Sequence, residues 1–135
     1  VYLLDNCGEI VTDKLMMRLI RMQYPKMHIT AMVRGGQVMN DATREDAEEV
    51  ALETVAGIAD SGCNIAGTSL SDISKEAAEI IDKADVLIAK GQGNFETLHQ
   101  CGKNIYYIFM CKCKMFVERF GLPQFSGVLV NEKNI

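Results

Sequence analysis

No stretch of this 135-residue sequence reaches the roughly 18 consecutive apolar residues that a membrane-spanning helix requires, and no basic segment precedes an apolar one at its start. Neither a membrane span nor a signal peptide is read here, and a soluble, cytoplasmic protein is expected. Basic residues are also scarce. The 14 Lys and Arg against 18 Asp and Glu leave a formal net charge of −4. That argues against a nucleic-acid partner, because neutralising a phosphate backbone needs clustered cations. The five cysteines, Cys7, Cys63, Cys101, Cys111 and Cys113, are odd in number and contain no C-x-x-C pair, which fits neither a disulfide framework nor a structural zinc site. They are expected to be reduced, most of them small core residues. Internal repeats and low-complexity linkers are missing as well.

Several chemistries lack their residues. A dinucleotide or nucleoside fold would place G-x-G-x-x-G in the first strand–helix turn, where only Gly8 stands, and the string G-x-x-x-x-G-K-[ST] of a P-loop does not occur. Cys7 sits at a predicted helix start, yet a cysteine-dependent phosphatase would carry an Arg in the same loop, and residues 8–13 hold none. Cys7 is read as a small residue tucked beside a site. A catalytic triad needs a general-base histidine. His28 begins a predicted strand and His99 falls late in a helical stretch, so both read as structural.

What is present is 48% hydrophobic residues, enough for the core of one domain over residues 1–135. Short Val/Ile/Leu/Tyr segments near 1–4, 28–33, 57–60, 86–89, 105–110 and 127–130 alternate with amphipathic stretches at 9–23, 44–52, 72–84 and 112–120, and a further helix begins near Gly93. That alternation predicts an α/β fold with a mostly parallel sheet. The segment SGCNIAGTSLSD, Ser61 to Asp72, is the longest loop, and reads equally as a functional loop or an ordinary connection. Val1 lies inside a strand-like run without an initiating Met, so preceding sequence is expected.

In an open parallel sheet, ligands bind where the strands end. Asp5 and Asn6 follow the first strand, and Arg34, Gly35, Gly36 and then Asn40–Thr43 follow the second. Lys90 with GQGNFE follows the fourth, and Cys111–Lys112 the fifth. Asn6 with Glu9, and Thr43 with Asp46, have capping-box spacing, which leaves Asp5 and Asp41 surplus to capping. Desolvated acids need a cation, and a lysine or a divalent metal would serve. Two carboxylates and an amide are hard oxygen donors that suit Mg²⁺ or Mn²⁺ better than zinc. Lys90 and Lys112 favour an anion beside that ion. Gly91 and Gly93, at a helix N-terminus, would let backbone N–H groups approach a phosphate.

The motifs DNCGEIV, VRGGQVMNDAT, KGQGNFE and the Lys-Cys pair after a strand, in that order, resemble the metal-dependent damage-control phosphatase family, also called domain of unknown function 89, and its microbial branch in particular. The resemblance spans nearly the whole chain. It implies a Rossmann-like three-layer α/β/α core, a divalent metal and hydrolysis of small phosphate monoesters such as sugar phosphates or damaged phosphometabolites. By position it implies Asp5, Asn6 and Asp41 as metal ligands and Asp5, Asp41 and Lys90 as catalytic. Asn40, Lys90, Gly91, Gly93, Asn94 and Lys112 would hold the substrate. Mg²⁺ or Mn²⁺ is the expected cofactor, with Co²⁺ and Ni²⁺ as further candidates. One aspartate would serve as general base or nucleophile. Gln37 stands where relatives often have Pro, and Cys7 where Ala is common; neither removes a ligand. The family also has a helical segment ahead of this core. Two other readings remain open: an S-adenosylmethionine-dependent carboxyl methyltransferase, and a non-catalytic metabolite-binding domain. Substrate identity and oligomeric state have no signature in the sequence.

Overall fold

The computed structural model describes residues 1–135. Strands and helices alternate as β1 (Tyr2–Leu3), α1 (Ile10–Gln23), β2 (Thr30–Val33), α2 (Arg44–Glu49), β3 (Gly57–Asp60), α3 (Lys75–Asp82), β4 (Leu87–Lys90), α4 (Gly91–Leu98), β5 (Ile105–Met110), α5 (Lys114–Phe120) and β6 (Gly127–Asn131). The six strands form one sheet in the order β3-β2-β1-β4-β5-β6, with β6 alone antiparallel, to β5. This is the mostly parallel α/β/α architecture expected from the alternation.

Period-two alternation assigns the two faces. Leu3, Met32, Leu87, Ala89, Ile105, Tyr107 and Phe109 point to one side and pack with Ala77 and Ile81 of α3, Phe95 and Leu98 of α4 and Phe116 of α5. Phe95 is the hub of that layer, with ring centroids 4.9 Å from Tyr107, 5.3 Å from Phe116 and 5.4 Å from Phe109. Tyr2, Leu4, Ala31 and Val33 point the other way, onto Ile10 and Met17 of α1 and Ala47 of α2. Helices therefore cover both faces. The α1 side of β5 and β6 is the exception: Tyr106, Met110 and Leu129 remain 42%, 44% and 70% exposed. No helix is long and apolar enough to cross a membrane.

Local signals place the helix ends. Ser74 Oγ accepts the Ala77 N–H, so α3 starts there, and Asp72 and Ile73, expected inside the helix, stay in the loop. Thr43 and Asp46 form the full capping box of α2. That helix stops at Glu49, short of the expected residue 52, because Ala51 takes a left-handed conformation. α4 begins at Gly91, directly off the strand and earlier than expected. From β1 the chain proceeds through β2 and β3 on one side, then returns to build β4 on the other. The switch in winding direction thus falls between β1 and β4, the place at the strand ends where open parallel sheets form their ligand crevice.

Candidate active site

Two loops are bound together at that crevice. Beyond β1, the Asp5 carbonyl accepts the Ala42 N–H at 2.6 Å and the Cys7 N–H donates to the Asn40 carbonyl at 2.8 Å, which makes Asn6 and Asp41 an isolated antiparallel bridge pair. Residues paired in this way present their side chains to the same face. From the other flank, Gly91 closes on Asp5: a Cβ at Gly91 would collide with the Asp5 carboxylate, and the residue has φ +81°. The first residue of α4 must therefore be glycine for Asp5 to occupy its place. Asp5, Asn6 and Asp41, from two separate strand–helix junctions, meet at the β1/β4 switch point.

The electrostatics of the crevice are acidic. Asp41 Oδ2 accepts from Arg34 Nε at 2.6 Å, and Arg34 is only 2% exposed. The Asp5 carboxyl is raised above its ordinary value by burial first and by the Asp41 charge second, with Arg34 and Lys112 opposing. Beneath it, Lys90 Nζ donates to Glu9 Oε2 at 2.6 Å and Asp13 Oδ1 at 2.8 Å, and the Tyr2 hydroxyl donates to the same Asp13 oxygen at 2.7 Å. Burial opposes the Lys90 charge, but these two hydrogen-bonded acids outweigh it and hold the ammonium pKa above the usual lysine value. Asp13 Oδ2 is buried without any partner, so the Asp13 charge is tolerable only against that ammonium. Four carboxylates (Asp5, Asp41, Glu9, Asp13) face the buried Arg34 and Lys90 and, at the rim, the exposed Lys112, an excess of one negative charge.

Several expected site residues sit differently. Lys90, expected at the phosphate, is the last residue of β4 and points to the α1 face, where Glu9 and Asp13 occupy it. Asn94, also expected at the substrate, is fully buried. Its Nδ2 donates to the Leu4 and Lys90 carbonyls, and its Oδ1 accepts from Thr68 and Arg34. Gly93 lies against the backbone of Gly67, so its missing side chain makes room for the loop of residues 61–74. Asn40 is exposed at the rim and contributes its carbonyl to Cys7. The Asn6–Glu9 capping box is only half made: Asn6 Oδ1 accepts the Gly8 N–H at 2.7 Å, while Glu9 is drawn off by Lys90. Arg34, Asp13, Glu9 and Thr68 complete the site. In the sequence Arg34 shows as a charge immediately following a strand, Glu9 only as a capping partner of Asn6 and Thr68 only as part of the long Ser61–Asp72 loop, while Asp13 leaves no signal.

The remaining candidates stay outside the site. His28 is exposed ahead of β2, and His99 lies at the far end of α4 beside Glu132. Only Cys111 is a fully buried cysteine; Cys7, Cys63 and Cys101 are half-buried and Cys113 is exposed. All five are free thiols.

No three His, Cys, Asp or Glu groups converge on one point. A cation at the crevice would thus rely on two carboxylates and the Asn6 amide. That set fits a hard divalent ion on two grounds. Its donors are all oxygen, and Asp5 is a desolvated carboxylate, pushed up further by the Asp41 charge, whose raised pKa a nearby cation would relieve.

Comparison with known proteins agrees with this architecture. The damage-control phosphatase ARMT1-like domain matches residues 1–128. An uncharacterized protein of Methanocaldococcus jannaschii is 38% identical over 134 residues, 96% of this chain and 43% of that protein. Damage-control phosphatases of Pyrococcus horikoshii and Archaeoglobus fulgidus are 35% and 33% identical, over 99% and 90% of this chain and 46% and 42% of their own lengths. The chain thus spans less than half the length of the curated relatives it matches. The crystal structure of a DUF89 family protein from Pyrococcus horikoshii superposes with a TM-score of 0.91 at 33% identity, over 97% of this chain and 46% of that one. On sequence and fold together, this chain belongs to the damage-control phosphatase ARMT1-like (DUF89) family.

Proposed function

We propose that the β1/β4 crevice is the catalytic centre of a metal-dependent phosphatase acting on small phosphate monoesters such as sugar phosphates or damaged phosphometabolites. The observation that carries this reading is the junction of Asp5, Asn6 and Asp41, fastened by the backbone bonds between residues 5–7 and 40–42 at a winding switch that also holds a helix N-terminus. Asp5, Asn6 and Asp41 would hold Mg²⁺ or Mn²⁺, with Co²⁺ or Ni²⁺ as alternatives. Such an ion neutralises phosphoryl oxygens and lowers the pKa of water.

The chain's own groups have distinct tasks in this reading. Lys112, exposed beside Asp5, is the cation placed to meet the ester's phosphate, together with backbone N–H groups at the start of α4. Lys90 contributes a fixed positive charge from below the crevice. Its raised pKa keeps it protonated, so it is no general base. The Asp5 carboxylate, unlike its backbone carbonyl, accepts no hydrogen bond from the protein and is the group placed to take a proton from an attacking water or to attack phosphorus itself.

The test is phosphate release from a panel of sugar phosphates and p-nitrophenyl phosphate with Mg²⁺, Mn²⁺, Co²⁺ and Ni²⁺ in turn. Metal-dependent release is expected, and Asp41→Asn, which keeps an oxygen acceptor for the buried Arg34, should abolish it. Undiminished turnover in Asp41→Asn would remove the Asp41 charge from the mechanism.

A further inference from the structure

The loop of residues 61–74 is held against the site by contacts that its role as a connection does not require. Gly67, at φ +81°, packs so closely on the Gly93 carbonyl that a Cβ there would collide with it. The next residue, Thr68, is completely buried, and its N–H donates to Thr97 Oγ1 at 2.8 Å. The Thr68 hydroxyl has one proton, which it gives to Asn94 Oδ1 at 2.7 Å, and it accepts from Arg34 Nη1 at 3.3 Å.

The directions of these bonds form one consistent chain. The Leu4 and Lys90 carbonyls take both amide protons of Asn94, at 3.2 Å and 2.7 Å, which fixes Oδ1 as the acceptor turned towards Thr68 and Arg34. Asn94 Oδ1 and the Thr68 hydroxyl then hold Nη2 and Nη1 of the guanidinium, at 3.5 Å and 3.3 Å. Held on two corners, the rigid fork has its Nε aimed at Asp41 Oδ2. The other Asp41 oxygen has no partner in this chain of bonds.

We infer that Thr68 is a positioning residue: through Asn94 and Arg34 it sets the orientation of the Asp41 carboxylate. The inference rests on the reading of Asp41 as a metal ligand. Thr68 itself bonds none of Asp5, Asn6 and Asp41, and through it the loop after β3 acquires a part in the site. Partners that orient a ligand commonly govern metal affinity by about 10- to 100-fold.

The test is Mn²⁺ affinity measured directly, from the electron paramagnetic resonance signal of free Mn²⁺, without reference to turnover. Thr68→Val should weaken binding roughly tenfold, in the lower part of that range. Thr68→Ser keeps the hydroxyl and should stay near the parent. Thr68→Ala removes the hydroxyl without placing a methyl against Asn94, and decides the matter if Thr68→Val does not fold. Thr68 variants that melt at a lower temperature but bind Mn²⁺ like the parent would overturn the inference and show a purely structural residue. Asp41→Asn separates the two claims: if the parent binds Mn²⁺ and Asp41→Asn does not, the metal reading stands whatever the Thr68 variants do. A parent that binds no Mn²⁺ would overturn both.

Discussion

Asp5 and Gly91 share a space that only one of them can fill. Gly91→Ala adds a methyl where the Asp5 carboxylate lies, at a backbone conformation that costs a non-glycine residue about 1–3 kcal/mol. It should lower turnover about a hundredfold by moving Asp5, an effect readable as a fall in kcat in a protein that still folds. Asp5 also predicts a pH dependence. Its folded-state pKa is raised, so its contribution to stability is present below the ordinary Asp value and is lost as pH rises through the raised one. Urea unfolding without metal should show this loss in the parent and a flatter profile in Asp5→Asn. Lys90 gives a third test. Lys90→Met strands the buried Asp13 charge and should cost about 3–5 kcal/mol, and adding Asp13→Leu should recover most of it. Additive losses in the double variant would refute the pairing. The sequence marked Asp5, directly past β1, and Asp41, in the loop after β2, because capping leaves both over, and the structure brings their loops together through the Asn6–Asp41 bridge. The orientation of Lys90 could not be read there, because a one-residue difference in where a strand ends reverses the face a side chain meets, and that of Asn94 depends on α4 beginning at Gly91 rather than near Gly93.

Among the elements, every strand segment and helix was visible in the alternation of short apolar runs with amphipathic ones, and the differences lie at the ends. Ser74 and Ala51 decide where α3 begins and α2 stops through a side-chain bond and a left-handed residue, neither of which leaves a periodic trace. The strand order was not legible. It follows from which faces bury each other, and with it came the pairings of Lys90 with Asp13, 77 residues apart, and of Arg34 with Asn94, 60 apart. The α2 capping box invites a test at this scale. Thr43→Ala removes the acceptor for the Asp46 N–H and should lower stability by about 1 kcal/mol, measured by chemical denaturation. Because Thr43 lies two residues beyond Asp41, the same variant should also weaken Mn²⁺ binding; unchanged affinity would mean that the backbone bond between Asp5 and Ala42 anchors Asp41 without help from the helix.

For the whole molecule, the crevice unites two halves of the sheet that are wound in opposite directions, and it does so around more carboxylates than cations. Anything that binds this native arrangement stabilises the entire fold. Mn²⁺ at a hundred times its dissociation constant should add about 2.7 kcal/mol, visible as a raised Tm that Asp5→Asn abolishes. The most direct measurement is an anomalous difference map from a crystal of this chain soaked in Mn²⁺. A peak coordinated by Asp5, Asn6 and Asp41 is the predicted result. A clean map at that place, in crystals whose Asp5 and Asp41 carboxylates keep the arrangement described here, would contradict it.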